Sequence, residues 1–132
     1  MSSLIAIVSS IENCDNLHIV KFDFHGESLS MMSLDLSESI EVGVAVKLII
    51  KPSHIAIAKD FSGEVSYSNR LETTISSCQN GKLLTSIKLK LFDATLESII
   101  TLNSSLKMNL QVGDKVTAFI KASEISIGEI DV

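Results

Sequence analysis

The chain repeats itself. Displaced by 70 residues, Gly43 to Lys59 (GVAVKLIIKPSHIAIAK) falls on Gly113 to Glu129 (GDKVTAFIKASEISIGE) without a gap. Seven of the 17 positions are identical: Gly43/Gly113, Val46/Val116, Ile50/Ile120, Lys51/Lys121, Ser53/Ser123, Ile55/Ile125 and Ile57/Ile127. The same displacement also pairs Ile5 with Ile75, Phe22 with Phe92, Asp23 with Asp93 and Leu36 with Leu106. An internal duplication of this kind constrains the fold more than any other feature, because both halves must accept one backbone plan. It divides the chain into a first unit at residues 1–60, a linker at 61–69 and a second unit at 70–132. The linker, Phe61-Ser62-Gly63-Glu64-Val65-Ser66-Tyr67-Ser68-Asn69, is polar and carries Gly and Ser.

Each unit reads mainly as strand. Ile87, Leu89 and Leu91 alternate with Ser86, Lys88 and Lys90, the period of a half-buried strand. In the first unit the apolar parity changes between Ile19 and Val20, which predicts a β-bulge or a strong bend there. Gly43 and Gly113 stand where a turn must precede a strand. One segment per unit has helical spacing. Leu106 and Leu110 lie four apart behind Asn103 and Ser104, both suited to an N-cap, and Leu36 and Ile40 repeat the spacing behind Ser33. The expected fold class is all-β: two tandem OB-like β-barrel units, each with one short helix after its third strand. Aromatic residues make up only 5% of the chain and Trp is absent, so the core must be built from Ile, Leu and Val. Units of about 60–70 residues bury little surface alone, which favours oligomerisation.

The repeated Ile-Lys-x-Ser, Ile50-Lys51-Pro52-Ser53 and Ile120-Lys121-Ala122-Ser123, can bring ammonium, hydroxyl and backbone N–H donors to one point. An oxyanion accepts from all three, and the charge-assisted bonds are the stronger ones. A turn bearing a solvated lysine accounts for the same spacing. Thr101 and Ser104 flank the predicted helix start, where an anion or an ordinary cap would be favoured.

The run Ile100-Thr101-x-x-Ser104-x-x-x-Met108-x-Leu110-x-Val112-Gly113-Asp114-x-Val116-Thr117-Ala118-Phe119-Ile120-Lys121-Ala122-Ser123-Glu124-Ile125 resembles the molbindin family, the Mop or TOBE units that bind molybdate and tungstate. With the repeat, the resemblance extends over nearly the whole chain and is to a tandem, di-Mop arrangement. It implies a cytoplasmic protein that assembles as a homotrimer or homohexamer and holds oxyanions at interfaces between units. It also implies the ligand set: Thr101, Ser104, Lys121, Ala122 and Ser123, with Ser66 and Asn69 on the arm opening the second unit, and Lys51 and Ser53 surviving in the first.

The chain departs from that pattern in places. Ser68 stands where the family's arm has Arg, and Arg70 lies two residues further on. In the 70-residue register the first unit offers Met31 and Leu34 opposite Thr101 and Ser104, and Pro52 removes a backbone donor. Complete sites are therefore expected to centre on the second unit.

Other chemistry has little support. His18, His25 and His54 lack partners at metal-ligand spacing, and no cofactor motif appears. The recurring Asp23/Asp93 and Glu27/Glu97 read as hairpin-turn residues rather than an acid–base couple. Cys14 and Cys78 read as two buried thiols. The formal net charge of −5 and the few aromatics argue against nucleic acid. Leu4 to Val8 is too short for a signal sequence or a membrane span. The expectation is a non-enzymatic oxyanion-binding protein for storage, buffering or homeostasis. The alternative is a regulatory or oligomerisation module that partners a molybdate transporter ATPase or a transcriptional regulator.

Overall fold

The structure, a computed structural model, describes residues 2–132 and is built from ten strands. The first unit contributes β1 (Ser2–Cys14), β2 (Leu17–Phe24), β3 (Glu27–Leu34), β4 (Ala45–Ile50) and β5 (Ala56–Ala58). The second contributes β6 (Asn69–Asn80), β7 (Leu84–Leu91), β8 (Ala94–Thr101), the helix α1 (Leu102–Lys107), β9 (Lys115–Ile120) and β10 (Ile125–Ile130). A single 3-10 turn, Pro52–His54 or Ala122–Glu124, separates the last two strands of each unit. The alternation read from β7 holds, since Ile87, Leu89 and Leu91 are buried. Leu4, Ala6 and Val8 of β1, Val20, Phe22 and Phe24 of β2, and Leu71 and Ile75 of β6 complete a largely aliphatic core.

The strands form two antiparallel five-stranded sheets that exchange their ends. One runs β10-β4-β1-β2-β3 and the other β5-β9-β6-β7-β8. Each unit's last strand therefore lies in the other unit's sheet: β10 pairs with β4, and β5 with β9. The tight turns at Pro52–His54 and Ala122–Glu124 are the crossing points.

The structure corrects the repeat register. The 70-residue spacing holds for β4 and β9, but upstream of them the spacing is 67. Ser2 opposes Ile50 as Asn69 opposes Ile120. A bulge between Val8 and Ser10 in β1 recurs between Ile75 and Ser77 in β6. In this register Leu4, Val20, Phe22, Phe24 and Leu29 correspond to Leu71, Ile87, Leu89, Leu91 and Leu96, and all ten are buried. The pairings Ile5/Ile75, Phe22/Phe92, Asp23/Asp93 and Leu36/Leu106 are thus not structural. Phe22 is a core residue, whereas Phe92 is an exposed turn residue with φ of 51°. Glu27 and Glu97 part company for the same reason: Glu27 opens β3 beside the hairpin turn, while Glu97 lies within β8.

The three missing residues also correct the helix prediction for the first unit. Eight residues separate Leu34 from Gly43, against eleven between Thr101 and Gly113. The shorter connection runs as bends and turns, and the spacing of Leu36 and Ile40 does not become helical. In the second unit the helix forms, but its N-cap is Thr101 rather than Asn103 or Ser104. Thr101 Oγ1 accepts from the Ser104 N–H at 3.1 Å. Lys59, at the end of the exchanged β5, closes the other end by donating to the carbonyls of Met108 and Asn109, each at 3.1 Å. Glu129 holds the corresponding place at β10 and pairs with Lys47 instead.

Two smaller corrections follow. The parity change at Ile19/Val20 is not a bulge in β2, whose pairing with β3 is unbroken. The bulge is in the partner strand β1, and Leu17 and Ile19 simply turn toward the outer face. Cys14 is exposed at a hairpin end and Cys78 is half-buried, so they are not two core thiols. Gly43 and Gly113 occupy the expected turns, both with φ of 94°. Their N–H groups donate to the carbonyls of Val8 and Ile75, each at 2.8 Å.

The loop between α1 and β9 carries a pH dependence. Asp114 accepts from the Gln111 N–H at 2.9 Å and from Lys59 Nζ at 3.2 Å. These bonds, led by the backbone one, hold its carboxyl below the usual carboxylate range. A lowered folded-state value stabilises the protein above the unfolded carboxylate's titration, and this is lost as pH falls through the folded value. Asp114→Asn is therefore expected to melt below the wild type at neutral pH, with the gap closing on acidification. Thermal melts across the acid range would detect it, and a gap unchanged by pH would contradict the assignment.

Candidate functional site

The strand exchange brings the two Lys-x-Ser turns together. Lys51 follows β4 and Lys121 follows β9, and each lysine's carbonyl accepts from the N–H three residues on at 2.9 Å, which closes a 3-10 turn. Because β10 lies against β4, the second turn packs beside the first. A cavity of about 370 Å³ opens between them, lined by Ile49, Lys51, His54, Ser123, Glu124, Ile125 and Ser126. It joins the lysine of one repeat to the serine of the other. Across it, His54 Nδ1 and Glu124 Oε2 meet at 2.9 Å.

The equivalent position on the second sheet is shaped differently. Phe119 takes the place of Ile49, and Phe61 and Tyr67 of the linker pack on it with ring centroids at 5.1 and 5.5 Å. Arg70 lies over the rings of Phe61 and Phe119, at 5.3 and 5.6 Å from their centroids. Its guanidinium is thus held against aromatic faces.

The predicted ligand residues separate into groups. Lys51 and Ser123 share the cavity. Lys121, Ala122 and Ser53 sit on the same pair of turns, with Lys121 and Ser53 exposed. Thr101 and Ser104 lie together at the start of α1, exposed, with Thr101 Oγ1 donating to Ser104 Oγ at 2.9 Å. Ser66 is exposed on the linker. The first unit's counterpart of Thr101 is Leu34, not Met31, because the register there is 67.

Asn69 is placed where its side chain is already committed. It is fully buried at the start of β6, inside the stretch read as linker. Its Oδ1 accepts from the Ser30 N–H at 2.7 Å, and its Nδ2 donates to the carbonyls of Ser30 and Ile120, each at 3.0 Å. Ser2 has the corresponding place in the first unit, and its Oγ accepts from the Glu97 N–H at 2.7 Å. Asn69 and Ser2 are clamps between the units, and Ser2 could be found only once the 67-residue register was known.

His54 and Glu124 are the site residues that sequence reasoning missed. The signal was present, since they are equivalent positions of the repeat, but a mismatch between repeats gives no hint that the two residues touch. His25 behaves similarly, meeting Asp93 at 3.2 Å and stacking on Phe92 across the hairpin tips. Among the described residues no group of three or more His, Cys, Asp or Glu could hold a metal ion, and no helix is long and apolar enough to cross a membrane.

Two OB-like units that trade their last strands and share a pair of polar turns define a class of small tandem β-proteins. Residues 66–127 match the TOBE domain model. Among solved structures, the chain is similar to a molybdate-bound crystal form of the cytoplasmic molybdate-binding protein ModG, with a TM-score of 0.86 and 21% identity over 96% of this chain and 94% of that one. No curated protein matches it by sequence. Residues 66–127, most of the second unit, are thus similar to a TOBE domain, and the chain as a whole shares its fold with that molybdate-binding protein.

Proposed function

We propose that the protein binds a tetrahedral oxyanion, molybdate or tungstate, and serves in its storage, buffering or homeostasis. The observation that carries this reading is the cavity in which Lys51 of one repeat and Ser123 of the other line a common wall. An ammonium and a hydroxyl contributed by two turns to one cavity suit a small dianion, which needs several donors to replace its water. The likeness to ModG, a molybdate-binding protein, supports the same ligand. Binding proceeds by hydrogen bonds and lysine charge, with no bond from a protein side chain to the metal atom and no catalysis. Thr101 and Ser104 form a second donor group, completed in this reading by another copy of the chain in a homotrimer or homohexamer. Exposed Leu83, Leu84 and Leu106, close to that group along the chain, suit such an interface.

The test is isothermal titration with molybdate, tungstate and sulfate in turn. Binding of the metal oxyanions is expected, weakened by about 30–1000-fold in a Lys51→Ala, Ser123→Ala double variant, because each charged or hydroxyl donor contributes on the order of 1–2 kcal/mol. Unchanged affinity and stoichiometry in that variant would remove the cavity from the site. The regulatory-module reading has one observation in its favour. An apolar groove of about 510 Å³ opens between β10 and the first unit's connection where the helix does not form, lined in part by Met31, Leu34, Leu36 and Ile127. Heat stability unmoved by either metal oxyanion would put that reading ahead.

A further inference from the structure

The cavity that holds Lys51 and Ser123 is also lined by an acid, which is a poor neighbour for an anion. Glu124 lines the same 370 Å³ space. The charges around it are Lys51, Glu124 and, when protonated, His54; the other lining residues, Ile49, Ser123, Ile125 and Ser126, carry none. With His54 neutral, the lysine and the glutamate cancel. With His54 protonated, the wall carries one net positive charge. A dianion distinguishes these two states strongly, since the attraction follows the local charge rather than the chain's overall −5.

The geometry ties the two residues together. His54 and Glu124 occupy equivalent places in the two turns, and the strand exchange brings those places into contact. Two identical acids here would face each other at contact distance and repel. A histidine opposite the acid gives a 2.9 Å pair instead. Each side chain is about one-third exposed, 34% in both cases, so protons and small ions can reach the pair. His54 Nδ1 is the atom facing the carboxylate. When protonated, His54 neutralises Glu124. When deprotonated, it can still orient the acid but no longer offsets its charge. Histidine is the side chain whose ordinary titration lies nearest neutral pH.

We infer that His54 and Glu124 form a proton-controlled gate on the oxyanion site: His54 protonation masks Glu124 and admits the anion, and His54 deprotonation restores the acid's repulsion and releases it. The inference rests on the proposed oxyanion reading and adds its regulation. Both residues act by setting the charge of the wall, with Lys51 and Ser123 as the direct donors. The sign is fixed: affinity falls as pH rises. One coupled proton limits the change to about tenfold per pH unit, and screening at this exposure keeps the whole effect on the order of tenfold.

The experiment is a molybdate titration of the full chain at about pH 6 and about pH 8.5, spanning the ordinary histidine range. Molybdate stays a dianion between these limits, so its own charge does not change. Wild type is expected to bind roughly tenfold more weakly at the higher pH. His54→Gln should bind weakly at both and lose the slope, whereas Glu124→Gln should bind more tightly than wild type at both, because no acid remains to be offset. Circular dichroism at both pH values would establish that the variants are folded. Molybdate bound with equal affinity at both pH values by wild type would overturn the gate and leave the oxyanion function standing. An unaltered slope in folded His54→Gln would also overturn it, as would folded Glu124→Gln binding no more tightly than wild type at the higher pH. No binding at either pH would overturn the oxyanion reading itself, and the gate with it.

Discussion

An isolated second unit, residues 61–132, is expected to fold only as a dimer. In the full chain its sheet is completed by β5 from the first unit, and its own β10 leaves to pair with β4. Cutting the chain at residue 60 removes β5, exposes the edge of β9 and leaves β10 without a partner. A unit of about 70 residues has too little core to tolerate both losses. The repeat supplies the remedy, because Ile125 and Ile127 of β10 match Ile55 and Ile57 around β5. A second copy's β10 can therefore occupy the empty edge of β9, and reciprocal exchange closes a two-fold dimer. Light scattering should give twice the unit mass, and the melting temperature should rise with protein concentration. A folded monomer at all concentrations would show that the exchange is dispensable.

Asn69→Ala is expected to cost about 2–4 kcal/mol of folding stability, because it strands buried partners rather than merely deleting a contact. The Asn69 side chain makes three hydrogen bonds, to the N–H and carbonyl of Ser30 and the carbonyl of Ile120. Without it, an amide hydrogen and two carbonyls lose partners in a region that is buried at Ile120 and half-buried at Ser30. Two of the three bonds cross to the other unit, so the loss should appear as earlier urea unfolding of the whole chain, without separate transitions. Asn69→Asp should do at least as much harm, since a carboxylate would face two carbonyl oxygens. Stability within a few tenths of a kcal/mol of wild type, accompanied by weaker anion binding, would return Asn69 to the ligand set.

Much of the fold was legible. The alternation of Ile87, Leu89 and Leu91 encodes a strand because side chains on a pleated backbone point to opposite faces at every second residue. The Gly43 and Gly113 turns were legible because a backbone with φ near +94° suits glycine. The helix of the first unit was misread for an equally physical reason. Leu36 and Ile40 have helical spacing, but eight residues between Leu34 and Gly43 run as bends and turns where eleven make room for α1. The same three residues shifted the register and assigned Met31 to a place that Leu34 holds.

The candidate site was legible in its residue types and not in its partners. Lys51 and Ser123 could each be singled out from the repeat, yet they are 72 positions apart and belong to different turns. Asn69 carries the same amide whether it faces an anion or the backbone of β3, and only its burial distinguishes the two.

The sequence by itself determined the duplication, the aliphatic all-β units and the pair of Lys-x-Ser turns, because these depend on periodicities and residue types that act locally. The tertiary structure alone decided that β5 and β10 change places. That exchange depends on which sheet edge a strand finds, and both edges offer the same backbone donors and acceptors. From it follow the joining of Lys51 to Ser123 and the contact between His54 and Glu124, so two equivalent turns become one asymmetric cavity.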